Sequence, residues 1–70
     1  MSFSYNPLWK LLIDKKMTRD KLRLDIGISS STMAKMSKDE NVSMEVLHKI
    51  CEHFHVQISE IVEYIATKKD

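Results

Sequence analysis

Apolar residues recur along this chain at three- and four-residue intervals, interrupted by short polar residues, a pattern that predicts a series of short helices. From about Pro7 to Lys15, Leu8, Leu11 and Leu12 mark one inward face, with Trp9 and Ile13 flanking it. Pro7 suits a first helical turn and Asn6 its cap. Lys16 falls where a helix end often requires a left-handed residue, and Met17 then enters the core. A second helix follows Thr18, with Leu22 and Ile26 on one face, and stops at Gly27. A third runs from Ser29 to Lys38 with Met33 and Met36 inward, and Ile28 drops into the angle between the two. Thr18 and Ser29 each carry an oxygen that can cap free backbone N–H groups.

Beyond the polar loop Lys38–Asn41, Ser43 is the next cap and Glu45 sits in the first turn, where negative charge suits the helix dipole. Leu47, Ile50, Cys51 and Phe54 then give an amphipathic fourth helix that ends near His53–His55. A short fifth helix is expected over 58–64, with Ile61, Val62 and Ile65 inward, followed by a polar, fraying tail from 66 to 70. Residues 1–6 alternate Phe3 and Tyr5 with small polar residues, as an extended segment does. Phe3, Tyr5, Tyr64 and Ile65 leave two arrangements open: a two-stranded ribbon within one chain, or contact across a dimer. The fold class is therefore all-α with five short helices. The 70 residues form a single domain whose helix-turn-helix core is 18–38, with extended or flexible termini at 1–6 and 66–70.

Thr18 to Lys38 resembles the phage-repressor and Cro type (XRE-type) of bacterial helix-turn-helix regulators, and the resemblance covers roughly residues 8 to 65. Thr18 matches that family's Ser or Thr cap, Leu22 its buried leucine, and Gly27-Ile28-Ser29 its glycine-apolar-serine turn. Met33 and Met36 match the apolar positions of its recognition helix. Two residues depart from the pattern. Arg19 stands where the family usually has Gln, and Arg23 where it usually has Ala, so the close approach of the two helices must be arranged differently. The opening SYNPLWKLL and the ending ISEIVEY resemble a subgroup of very small members.

The resemblance implies a lambda-repressor-like domain that binds duplex DNA sequence-specifically and regulates transcription, with the helix 29–38 in the major groove. By this register Ser30, Ser31, Ala34 and Lys35 contact bases. Hydroxyls discriminate weakly, Lys35 favours guanine O6 and N7, and Ala34 offers a thymine methyl only apolar contact. Thr18, Arg19, Thr32 and Lys38 contact phosphates, with Lys10, Lys15 and Lys16 as further candidates. Arg19 is well placed because a helix start already favours an anion. Ser29 is read as a cap, and Arg23 as covering the helix pair with its stem rather than touching DNA. A single module makes few contacts, so a homodimer on a two-fold site is expected.

Net charge is only +1, but its distribution is uneven. Lys10 to Lys38 holds eight basic and three acidic residues, whereas Asp39 to Asp70 holds three basic and seven acidic ones. A basic half that contains the motif suits a polyanion binder with one active face. No apolar run matches a membrane span and no signal-peptide pattern opens the chain, so a cytoplasmic protein is expected. His48, Cys51 and His55 are spaced as ligands on one helix face, yet Cys51 lies on the core side and no fourth ligand is evident, so neither metal nor cofactor is expected. No catalytic set or phosphate-cradling glycine loop is present, which argues against an enzyme with a small-molecule substrate. The rival reading is a protein-interaction module of the same fold that reads no operator itself, docking through an apolar face of Phe3, Tyr5, Trp9 and Tyr64.

Overall fold

The computed structural model describes residues 2–66. In chain order these form β1 (Ser2–Ser4), α1 (Asn6–Asp14), α2 (Arg19–Ile26), α3 (Ser30–Ser37), α4 (Met44–Phe54), a 3-10 turn (Ile58–Glu60) and β2 (Glu63–Ile65). Leu8, Leu22, Met36, Ile50 and Ile61 are the largest fully buried side chains. Each helix contributes one of them and the segment after the 3-10 turn contributes the last, so no helix can leave without opening the core. Fully burying such a side chain is worth about 1.5–3 kcal/mol.

Caps set the helix starts as the side chains dictate. Thr18 Oγ1 accepts from the Lys21 N–H (3.0 Å), Ser29 Oγ from Thr32 (3.1 Å) and Ser43 Oγ from Val46 (3.3 Å). Gly27 ends α2 in the left-handed region at φ 72°, with its N–H donated to the Arg23 carbonyl at 3.0 Å. A Cβ there would meet nothing within 4 Å, so the backbone angle, not crowding, selects glycine. Lys16 adopts φ 57°, the left-handed geometry expected of it, as do Asp39 and His55 at φ 58°.

Four expectations need correction. The fifth helix over 58–64 is a single 3-10 turn followed by a strand, so among the described residues there are four α-helices and a two-stranded sheet. A seven-residue helix rich in Ile and Val has little to hold it, whereas pairing with β1 satisfies the same backbone groups. The pairing is antiparallel and within one chain, with Ser2 opposite Ile65, Phe3 opposite Tyr64 and Ser4 opposite Glu63. The Phe3 and Tyr64 rings meet edge to face at 5.4 Å. Ile65 consequently faces outward rather than into the core, and Ile13, expected beside the core, is 73% exposed. Asn6 is not the α1 cap but its first residue, and its N–H is taken by the buried Ser4 hydroxyl at 3.1 Å. The expectation for the tail from 67 onward lies outside the described residues.

Tyr5 joins the two ends of the fold. Only 4% exposed, it donates its N–H to Asp39 Oδ1 (3.2 Å) and its hydroxyl to the Glu40 carbonyl (2.9 Å). The start of α1 is thus fastened to the loop that leaves α3. Burial first, and then the Asp39 carboxylate, raise the phenol above its ordinary value of about 10, partly offset by a backbone hydrogen bond involving Val42. The folded state therefore holds this proton more tightly than the unfolded chain. Its contribution is complete below pH about 10 and is lost as pH rises through the folded pKa. Tyr5→Phe is expected to cost about 1 kcal/mol at neutral pH and to lose stability less steeply than the wild type above pH about 10. Urea unfolding at both pH values checks this, and parallel losses in the two proteins would contradict it.

Candidate nucleic-acid interface

The sides of α3 divide its residues by neighbour. Met33 and Met36 turn into the core. On the α2 side, Ser30, Ala34 and Ser37 join Arg19, Asp20 and Arg23 around an open cleft of about 330 Å³. On the α4 side, Thr32 and Lys35 border a hollow of about 290 Å³ with Asn41, Val42, Ser43 and Val46. Ser30, Ser31, Ala34, Lys35 and Lys38 are all exposed, and Thr32 is half-buried. The four candidate base readers therefore share the solvent side of one helix.

The start of α3 is ordered by hydroxyls. Besides accepting the Thr32 N–H, Ser29 Oγ shares hydrogen bonds with Ser31 Oγ (3.0 Å) and Thr32 Oγ1 (2.9 Å). Ser29 thus does the capping, while Ser30 enters no side-chain hydrogen bond among the described residues. Thr18 likewise uses its hydroxyl at the start of α2, so a phosphate could take from it only the hydroxyl proton or neighbouring backbone N–H groups.

Ion pairs decide which basic residues remain available. Lys21 pairs with Asp25 at 3.0 Å and Arg23 with Asp20 at 2.8 Å, both inside α2. Arg23, whose side chain is three-quarters covered, lies over the helix pair as its stem suggests. Among the described residues, Lys10, Lys15, Lys16, Arg19, Lys35 and Lys38 have no carboxylate partner. Apart from Lys49 on α4, the cations unpaired among the described residues all come from the first 38 residues, whereas exposed Glu40, Glu45, Glu60 and Glu63 lie in the other half.

Arg19 has two neighbours that its position in the sequence does not announce. Its guanidinium carbon lies 3.8 Å from the centroid of the Trp9 ring on α1, and Nη1 donates to Ser37 Oγ at the end of α3 (2.9 Å). From the sequence, Trp9 is expected beside the core or in an apolar docking face, and Ser37 has no expected role. The available signal was Arg in a place where the resembled family usually has Gln, five residues beyond the end of the helix that carries the chain's single tryptophan.

The histidines do not converge. His48 lies 3.6 Å from Glu52 and His53 3.9 Å from Asp25, while His55 ends α4. Among the described residues no group of three or more His, Cys, Asp or Glu gathers where a metal ion could sit. The aromatic face imagined for a docking module does not form as drawn. Tyr5 is buried and Trp9 is half-covered beneath Arg19, which leaves Phe3 and Tyr64 exposed together.

A family model for the Cro/C1-type helix-turn-helix DNA-binding domain matches residues 7–67. The chain belongs to this family. A solved structure of the transcriptional regulator VanUg is 50% identical, with a TM-score of 0.86 over 89% of this chain and 83% of that one. No curated protein matches the chain. The Cro/C1-type assignment accords with the α2–turn–α3 arrangement described above.

The division of labour at the start of α3 is testable. Ser29→Ala is expected to cost about 1 kcal/mol of stability, and Ser31→Ala no more than about 0.5 kcal/mol, both read from denaturant unfolding. Equal losses would show that Ser31, too, is structural.

Proposed function

We propose that this chain acts as a single DNA-binding domain that recognises a duplex operator sequence-specifically and regulates transcription from the cytoplasm of a bacterium or in service of a phage. The observation that carries this reading is the exposed side of α3, with Ser30, Ser31, Ala34 and Lys35 together, flanked by cations that no carboxylate neutralises among the described residues. Membership of a DNA-binding family and the likeness to a transcriptional regulator support it. In this reading α3 enters the major groove, where Lys35 prefers guanine O6 and N7 and the serine hydroxyls add weak discrimination. Thr18, Arg19, Thr32 and Lys38 hold phosphates and set the register. No helix of the described residues is long and apolar enough to cross a membrane.

A homodimer would place two α3 helices about 34 Å apart on successive major grooves. The ribbon supports this pairing, because Phe3, Tyr64 and Ile65 are exposed and Phe3 borders an apolar groove with Met44 and Ile58. The same apolar patch is what favours the second reading, an interaction module that docks a partner and reads no operator.

Salt separates the two. Fluorescence anisotropy with a random-sequence duplex should show affinity falling roughly a hundredfold between about 50 and 200 mM salt, if a dimer neutralises about four phosphates through Arg19 and Lys38. Ser31→Glu and Lys35→Glu should each abolish binding. Absence of binding at low salt would contradict DNA recognition and leave the interaction module standing.

A further inference from the structure

We propose that Trp9 is a positioning residue for phosphate recognition, and that with Ser37 it holds the Arg19 guanidinium ready to receive a DNA phosphate. The proposal rests on the DNA-binding reading above and assigns a task to a side chain that touches neither base nor backbone.

An arginine at a helix start is ordinarily a mobile cation, and freezing its side chain on a phosphate subtracts from the binding it provides. Arg19 has already been ordered from two directions. One face of its guanidinium lies on the Trp9 ring, 3.8 Å from the centroid, a geometry in which the negative ring face attracts the cation. One of its five N–H donors goes to Ser37 Oγ at 2.9 Å. Neither neighbour is an anion, so the positive charge is oriented without being neutralised. The other donors lie in the guanidinium plane, where a bidentate fork onto a phosphate is formed.

The surroundings suit an anion of that size. Arg19 borders the open cleft of about 330 Å³ between α2 and α3, together with Arg23, Ser30 and Ser37. The one carboxylate there, Asp20, is engaged by both Nε and Nη2 of Arg23 at 3.0 and 2.8 Å. Arg19 and its two holders also come from three helices: Trp9 from α1, Arg19 from α2 and Ser37 from α3. A phosphate seated on Arg19 would therefore be registered against the whole reading unit rather than against α2 alone.

The test is a double-mutant comparison of DNA affinity, with each variant assayed at a temperature where its melt shows it fully folded. Arg19→Met should lower the salt slope by about one for each bound chain. Trp9→Leu should weaken binding roughly fivefold at fixed salt, Trp9→Phe should restore most of the loss, and Trp9→Leu should do nothing further once Arg19 is Met. Trp9 is the chain's single tryptophan, so its emission should change on adding duplex to the wild type and not to Arg19→Met. The proposal is overturned if Trp9→Leu binds as the wild type does, if Phe fails to rescue, or if Trp9→Leu weakens Arg19→Met by the same factor. A wild type with no salt-dependent binding overturns the DNA reading and this proposal with it, an outcome distinct from the other three.

Discussion

The angle between α2 and α3 is the constraint from which the rest follows. It is fixed by a small set of contacts: Leu22 and Ile28 from the α2 side and the turn, Met33 and Met36 from α3. Gly27 permits the left-handed step that brings these residues together within a few positions of sequence. A chain of this size has little core to share, so the same side chains that hold the angle also make up much of the interior. Tyr5 extends the constraint to the far end of α3 by fastening the first turn of α1 to Asp39 and Glu40. The side of α3 left open by this packing carries the candidate readers, and its placement is a consequence of burial on the opposite side.

Electrostatics then sort the surface that packing leaves. The two carboxylates of α2 are matched within the helix by Lys21 and Arg23, so they neither repel an anion strongly nor add to its attraction. Apart from Lys49 on α4, the cations with no such partner among the described residues lie on or just after α1, at the start of α2, and on or just after α3. With the exposed glutamates in the other half, a polyanion approaching the molecule meets a favourable field on the α3 side and an unfavourable one near the ribbon. The modest total charge conceals this difference, because the halves nearly cancel.

Local signals in the sequence were strong enough to place most of this. Thr18, Ser29 and Ser43 cap where their hydroxyls dictate, and Lys16 takes the left-handed angle its place at a helix end requires. The exposed side of α3 likewise follows from Met33 and Met36 alone. What was not legible depends on partners distant in sequence. The segment ending in Tyr64 has helical spacing, and only β1, some 60 residues away, makes a strand the better solution. Ile13 reads as a flank of the core and is not, because none of the described residues covers it. Asn6 is drawn into the first turn because Tyr5, fastened to Asp39 and Glu40, takes the position before the helix, and the Ser4 hydroxyl accepts the Asn6 N–H. The stacking of Arg19 on Trp9 is likewise a contact between helices, which no periodicity within either one reveals.

The central claim is that DNA lies along α3 and the start of α2, and amide chemical-shift mapping of the labelled protein with a short duplex tests it most directly. The account predicts perturbations concentrated at Thr18–Asp20 and Ser29–Lys38, with little change over Ile58–Ala66 beyond what pairing of two copies produces at every added ratio. Perturbations confined to Phe3, the 3-10 turn and β2, with α3 silent, would contradict it.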